Sequence, residues 1–352
     1  MKLGIIGCGR ITEKHCQTID QLKELTVVAL SDLSSERMNL IRSHLKNTSN
    51  LILMHKKYEE MLSNQNIDLV LIATSSGFHA EIAEKALKAG KHVLVEKPLT
   101  LSLKETSDLT ELAKKRGCYL FVCYQLRFLT SMLKIKEVLK QGLLGEIIYG
   151  VGTIEINRSK DYYEQAAWRG TWKHDGGMLI NQGIHMVDLL TWFMGDLESV
   201  QGEIKRVHEY KETEDVAIGI LKFKNGSTGV IEANSIALPN NRGYSLKLFA
   251  EKGTVVIRGQ KLDEVERFII NGHEEVPIEG LDHDGLEQVR MYKACLDCIA
   301  GRKSEFVADG EESIRALETI FALYRSALNQ EVVQLPLEDF QTGEMSAWEG
   351  SK

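Results

Sequence analysis

Residues 176–188, Gly-Gly-Met-Leu-Ile-Asn-Gln-Gly-Ile-His-Met-Val-Asp, set three polar side chains in an apolar run. Asn181, His185 and Asp188 are spaced by four and then three positions, so a helix through them would project all three from one face. A histidine can take a proton and an amide can orient a hydroxyl or the histidine. A carboxylate can hold the histidine tautomer through its opposite ring nitrogen, and together these are the parts of an acid–base site. Ordinary hydrogen bonds within a packed helix would also satisfy such a stripe, and Asp188 suits either use. No metal is assigned, because one helix offers too few ligands and no Cys or second His lies nearby at ligand spacing.

A second constellation opens the chain. Lys2-Leu3-Gly4-Ile5-Ile6 is a short apolar strand, followed by Gly7-Cys8-Gly9-Arg10-Ile11-Thr12 and a helical pattern to about residue 21. Strand, glycine turn and helix in that order let the backbone at Gly7, Gly9, Arg10 and Ile11 approach a pyrophosphate, whose charge the free N–H groups of the helix start would bind. Thr12 stands where the dinucleotide fingerprint usually has glycine or alanine, which weakens the motif alone. The next strand, residues 26–30, runs on to Asp32, where a carboxylate would accept from both ribose hydroxyls and repel a 2′-phosphate. NAD is therefore the expected cofactor. Arg37 with Ser31, Ser34 and Ser35 keeps NADP open, and Asp32 can also cap the helix that follows.

Beyond them, residues 51–54, 68–73, 92–95 and 119–123 are further strand-length apolar runs, alternating with helical patterns at 80–88 and 102–115. They predict a parallel sheet of about six strands with right-handed crossovers. Ligands bind at the carboxyl ends of such strands, which here deliver Thr74 and the triplet Glu96-Lys97-Pro98. The proline excludes helix at Lys97, so the ammonium starts from a fixed backbone. At the rim of a nucleotide crevice it could bind a hydroxyl and stabilise a developing alkoxide.

These motifs together resemble the glucose-fructose oxidoreductase and inositol dehydrogenase family, the Gfo/Idh/MocA group of NAD(P)-dependent sugar oxidoreductases. The resemblance spans nearly the whole chain: Gly7-Cys8-Gly9-Arg10, Glu96-Lys97-Pro98, Gln125-Leu126-Arg127-Phe128 and residues 176–188. It implies an α/β Rossmann domain with a parallel sheet over residues 1–124. An α+β domain with a large, mostly antiparallel sheet would follow over 125–336, its outer face building a homodimer or homotetramer. It further implies Lys97, His185 and Asn181 as catalytic residues, with Glu96 and Lys97 beside the cofactor and Arg127, Trp168 and Arg169 beside the substrate. Many members have Asp where this chain has Asn181, which leaves proton acceptance to His185. The Asn-x-x-x-His form is similar to oxidases of UDP-N-acetylhexosamines and uronates at C3. A cyclitol or free-sugar dehydrogenase and a non-catalytic nicotinamide-binding regulator are the alternatives, the regulator having no need of both Lys97 and His185.

The second half supports the same division without the family. Residues 146–156 alternate in strand fashion, and 215–223 and 227–236 flank Lys224-Asn225-Gly226, a hairpin signal; 244–250 and 253–258 form another pair. Between the first strand and the active-site helix, residues 158–174 hold Tyr162, Tyr163, Trp168, Arg169, Trp172 and Lys173, suited to a polyol or diphosphate, to core packing or to a subunit contact. Helical patterns at 286–300 and 311–329 are expected to pack toward the first half or brace the sheet, and 337–352 reads as a polar, partly mobile tail. A formal net charge of −7 leaves no basic footprint for nucleic acid, and no apolar run spans a membrane. Six scattered cysteines, including Cys295-Leu296-Asp297-Cys298 within a helical pattern, read as reduced thiols. With no signal-peptide pattern at residue 1, a cytoplasmic location is expected.

Overall fold

The apolar runs of the first half are too short to bury themselves as helices and too continuous for a half-exposed sheet, so they form a sheet covered on both faces. In the computed structural model they form β1 (Lys2–Ile6), β2 (Thr26–Ser31), β3 (Thr48–His55), β4 (Leu69–Ile72), β5 (His92–Val95) and β6 (Leu120–Val122). The sheet has order β3-β2-β1-β4-β5-β6, all parallel. Its crossovers carry α1 (Arg10–Ile19), α2 (Ser35–His44), α3 (Tyr58–Leu62), α4 (His79–Lys88) and α5 (Leu103–Arg116). Strand order reverses between β1 and β4, the place where such sheets open a ligand crevice at their carboxyl ends. The structure describes residues 1–46, 48–277, 279–281, 283–348 and 350, without the side chains of residues 49 and 50.

The chain divides into two units, Met1–Gln125 with Gln288–Ser313, and Leu126–Glu287 with Ile314–Lys352. The continuous second domain expected over 125–336 is instead interrupted. Edge strand β6 accounts for part of this: Val122 N donates to the Ala308 carbonyl at 2.9 Å and Phe121 bridges Asp309, so residues 308–309 cover backbone groups that would otherwise lie unpaired.

The second unit contains α6 (Thr130–Lys140), β7 (Ile147–Glu155), α7 (Lys160–Glu164) and α8 (Ile184–Met194). Then come β8 (Leu197–Lys205), β9 (Val216–Phe223), β10 (Thr228–Asn234), β11 (Gly243–Ala250), β12 (Gly253–Gly259), β13 (Glu264–Ile270) and β14 (Glu274–Glu275). After α9 (Glu287–Ile299), α10 (Gly310–Asn329) and β15 (Val333–Gln334) complete the elements. Their nine-stranded sheet runs β14-β13-β12-β11-β7-β10-β9-β8-β15, antiparallel except for the β7–β10 pair. The Asn225-Gly226 hairpin joins β9 to β10 as its sequence predicts. Helix α8 lies close against β7 because Gly150 and Gly152 leave room: a Cβ on Gly150 would sit 2.5 Å from the Met194 sulfur.

The expected tail is docked in its described part. Phe340 and Met345 are fully buried, and the Thr342 hydroxyl donates to the Trp172 carbonyl at 2.7 Å. Residues 349, 351 and 352 lie outside the described residues. Two apolar anchors and a buried backbone bond outweigh the polar composition that suggests mobility.

The segment at 126–128 is tied to α8 by Arg127, whose Nε and Nη2 donate to the two Asp188 oxygens at 2.8 and 2.6 Å. Both side chains are 2% exposed. Asp188→Ala would strand the Arg127 charge, and loss of one partner of a buried pair costs about 3–5 kcal/mol. A urea denaturation midpoint should fall accordingly, and a loss under about 1 kcal/mol, the range of a surface pair, would remove this role.

Candidate functional site

The first unit builds a nucleotide crevice from β1, β2 and α1. Gly7 turns the chain at φ +93°, where a Cβ would lie 2.5 Å from the Ala73 carbonyl oxygen. Gly9 precedes α1 with no side-chain cap, and a Cβ there would meet no protein atom within 4 Å. Arg10 and Ile11 stand exposed at the helix start. Thr12 is a gain rather than a defect: its buried hydroxyl donates to the Gly7 carbonyl at 2.8 Å and pins the turn. Asp32 is braced at both oxygens, accepting from Cys8 N and Ser34 N at 2.8 Å each. Burial, then the Asp32 charge, push the Cys8 thiol up to about 12, so it stays a neutral member of the loop. A glycine turn, an uncapped helix start and an acid after β2 fit the diphosphate and adenosine ribose of a dinucleotide.

At the end of β5, Lys97 is half-buried while Glu96 is 7% exposed. Glu96, expected beside the cofactor, turns inward: it accepts from His15 Nε2 at 2.9 Å and from Lys97 N at 3.2 Å. Thr74 is half-buried after β4, and its carbonyl lies 3.2 Å from His79 Nε2.

The second unit holds Asn181 and His185, and it corrects the expected helix. Leu179–Gly183 is a π-helical turn that passes into α8 at Ile184. Such turns widen the backbone and recur at functional sites. Asn181 and His185 are half-buried, whereas Asp188 is 1% exposed and committed to Arg127. Asp188 is therefore taken up by Arg127 rather than held beside the site. Arg127, expected beside the substrate, is likewise a buried framework residue, because its charge is neutralised inside the fold.

Three side chains that sequence reading passed over, Asp175, Gln182 and Arg158, assemble around this turn. Asn181 Nδ2 donates to Asp175 Oδ1, and Asp175 Oδ2 accepts from Gly170 N at 2.7 Å. Gln182 Nε2 donates to Asn181 Oδ1 at 2.8 Å, and Arg158 Nη2 donates to Gln182 Oε1 at 2.8 Å. The Arg158 and Arg169 guanidinium carbons lie 5.1 and 4.1 Å from the Tyr162 ring centroid, with Arg169 also 5.6 Å from half-buried Trp168. Trp172 and Tyr163 of the same loop are core residues, Trp172 meeting Tyr324 edge-on at 5.3 Å. A cavity of about 480 Å³ on the loop's flank is lined by Tyr163, Arg169, Arg206 and Lys211 among others, and neither Asn181 nor His185 reaches it. The one signal for Asp175 was its place before a glycine pair.

Below the turn, Glu214 is fully buried and accepts from Leu179 N at 2.8 Å and Tyr324 OH at 2.7 Å. Its Oε2 has no hydrogen-bond partner, and a Cβ on Gly177 would lie 2.6 Å from that atom. Burial pushes the Glu214 carboxyl up to about 7, opposed by Lys211. Its neighbour Asp215 goes the other way: burial opposes ionisation there too, but Lys211 at 2.9 Å and His208 hold the carboxyl below its ordinary range.

Comparison with known proteins agrees with this division. The GFO/IDH/MocA model described as an oxidoreductase family with an NAD-binding Rossmann fold matches residues 1–124, and the C-terminal domain model of the same family matches 132–256. The myo-inositol 2-dehydrogenase of Thermotoga maritima is 27% identical over 288 residues, covering 76% of this chain and 81% of that protein. The scyllo-inositol 2-dehydrogenase (NAD(+)) of Bacillus subtilis is 25% identical, covering 97% and 98%. The crystal structure of the WlbA dehydrogenase from Bordetella pertussis in complex with NADH and UDP-GlcNAcA has a TM-score of 0.88 at 28% identity, over 96% of this chain and 98% of that one. Among the described residues no helix is long and apolar enough to cross a membrane.

The raised Glu214 carboxyl has a signed consequence. Its folded-state value, about 7, lies above the ordinary 4.5, so its contribution to stability is fully present below pH 4.5 and is lost as pH rises through 7. The loss is at most about 3 kcal/mol, because a tenfold change in proton affinity is worth about 1.4 kcal/mol. Glu214→Gln, which mimics the protonated acid, should flatten this part of the stability–pH curve. Parallel curves for the two proteins across that window would refute the assignment.

Proposed function

The chain belongs to the GFO/IDH/MocA oxidoreductase family, whose NAD-binding Rossmann fold it carries, and from that premise we propose that it oxidises a secondary hydroxyl of a nucleotide-linked pyranose, a UDP-N-acetylhexosamine or uronate at C3. The observation that carries the substrate class is the pair of guanidinium groups stationed at the Tyr162 ring, one of them bonded through Gln182 to Asn181. Cations built onto the amide beside the reacting hydroxyl suit an anionic, nucleotide-bearing sugar. A neutral cyclitol has no use for them. The likeness to a dehydrogenase solved with NADH and UDP-GlcNAcA supports the same reading. The identity to two inositol dehydrogenases supports a second, a cyclitol dehydrogenase.

In the proposed reaction, NAD supplies the hydride acceptor. Gly7, Gly9, Arg10 and Ile11 hold its diphosphate and Asp32 the adenosine ribose, with Thr74 and Lys97 lining the crevice. His185 takes the hydroxyl proton, Lys97 stabilises the oxyanion that develops, and Asn181, held by Asp175 and Gln182, orients the hydroxyl. Trp168 and Arg169 contribute to the sugar-facing loop. Apolar side chains on the exposed face of the nine-stranded sheet, Ile148 at 59%, Ile218 at 49% and Ile220 at 45%, support a homodimer or homotetramer. Six cysteines without a disulfide support a reducing, cytoplasmic setting.

The purified protein with NAD, offered UDP-GlcNAcA or myo-inositol in turn, should build up reduced-nicotinamide absorbance with the nucleotide sugar. Reduction by myo-inositol alone would replace the first reading with the second, and bound NAD with neither substrate oxidised would point to a regulator. His185→Ala or Lys97→Ala should lower turnover by about 10²- to 10⁴-fold while NAD binding survives. Near wild-type turnover in either variant would remove that residue from the mechanism.

A further inference from the structure

We infer that His15, oriented by Tyr292, is a positioning residue for Lys97: it anchors Glu96 and so fixes the backbone from which the ammonium reaches the substrate oxygen. The inference rests on the reading of Lys97 given above. His15 lies on α1, is fully buried, and takes no part in the proposed chemistry. With Glu96 and Cys123 it forms a set of buried donor atoms within 4.8 Å of one another, a grouping that at first sight suits a metal ion. Hydrogen bonding accounts for it instead. Burial, then the Glu96 charge, push the Cys123 thiol well above its ordinary range, so it keeps its proton.

The proton on the His15 ring can be placed from its partners. Gln288 Nε2 faces His15 Nδ1 at 3.1 Å, and its Oε1 lies 3.0 Å from the Thr18 hydroxyl, which is also 3.2 Å from the Lys14 carbonyl. Tyr292 OH approaches the same nitrogen at 2.8 Å. A carboxylate oxygen only accepts, so the ring N–H sits on Nε2, directed at Glu96 Oε1 at 2.9 Å, and Nδ1 is left to accept. The other Glu96 oxygen accepts the backbone N–H of Lys97 at 3.2 Å. A continuous chain of hydrogen bonds thus joins Tyr292 through His15 to Glu96, which accepts from the ring on one side and from the peptide N–H of Lys97 on the other.

A second histidine holds the following residue. His79 Nδ1 lies 2.7 Å from the Pro98 carbonyl oxygen and Nε2 3.2 Å from that of Thr74. Burial holds this imidazole below its ordinary range, so it is neutral with one N–H, which the shorter contact takes. Residues 96 and 98 are each tied down by a buried ring, and only Lys97 between them is half-buried. A displacement of about an ångström at a reacting group can cost about 10²-fold in rate, so such bracketing has kinetic weight.

The test uses the full chain, NAD, and whichever of UDP-GlcNAcA or myo-inositol is oxidised. His15→Leu, assayed at a temperature where it stays folded, should lower kcat about 10- to 100-fold with KM for NAD near wild type, its melting temperature falling because the buried Glu96 carboxylate loses its ring partner. His15→Gln, which keeps an N–H toward Glu96, should restore most of the rate, and Tyr292→Phe should give a smaller loss. In a Lys97→Ala background His15→Leu should change nothing further, the coupling expected if it acts through that lysine. A harmless Lys97→Ala would sink the underlying mechanism. A damaging Lys97→Ala beside a fully active His15→Leu, or additive losses in the double variant, would sink this inference alone. Without any turnover, the ¹⁵N imidazole spectrum should place the His15 proton on Nε2; an Nδ1–H ring, or one tightly held metal ion per chain, would overturn the proposal.

Discussion

Asp188 and Arg127 meet through two hydrogen bonds in a setting that excludes water, and the orientation of α8 depends on that contact. Every other side chain of the helix from Ile184 to Met194 is buried except His185. A helix apolar on nearly all sides gains similar hydrophobic stabilisation over a range of rotations about its axis. A planar guanidinium fork accepts a carboxylate from one direction only, so it selects among them. The selected rotation leaves His185, one turn earlier, with access to solvent. The Gly150 and Gly152 gap in β7 sets how closely the same helix approaches the sheet.

A shared device recurs where the chain leaves regular structure. Buried backbone N–H groups need acceptors, and here carboxylates supply them. Asp32 takes those of Cys8 and Ser34, Asp175 that of Gly170, Glu96 that of Lys97, and Glu214 that of Leu179. Each acid therefore fixes a loop or irregular turn that strand and helix ladders do not reach. Their electrostatic surroundings then diverge. Glu214, where burial outweighs its partners, is raised, while Asp215 next to it is lowered by an ammonium and an imidazole.

What the sequence made legible was local and periodic. The parallel strands show as continuous apolar runs, Gly7 and Gly9 mark the turn before α1, and Asn225-Gly226 marks its hairpin. Strands β8 and β13 are harder to read, because Gly202 interrupts one and Glu264 and Glu266 break up the other. The π turn at Leu179–Gly183 leaves no mark that distinguishes it from an α-helical start, since both place apolar residues at similar spacing. Asp175, Arg158 and Glu214 lie 6, 23 and 33 residues from Asn181 in the chain. Their convergence is a property of the sheet and its loops, and no spacing rule encodes it. Arg127 and Asp188 illustrate the reverse error: charged residues inside motif segments suggest chemistry, and burial assigns them to support.

Asn181 shows how one substitution can be understood through a neighbour. In the resembling family many members have aspartate here, which would place a charge beside the histidine. In this chain the Asn181 amide donates to Asp175, a residue 3% exposed that already holds Gly170 N. An aspartate at 181 would bring two carboxylates into contact in a poorly solvated place, and one would have to take up a proton. The amide avoids that conflict by giving its N–H to Asp175 and its oxygen to Gln182. Negative charge is retained one side chain farther from His185, and the amide connects it to a positive loop through Arg158. Asparagine at 181 is thus the neutral member that lets an acid at 175 and a guanidinium at 158 share one polar network.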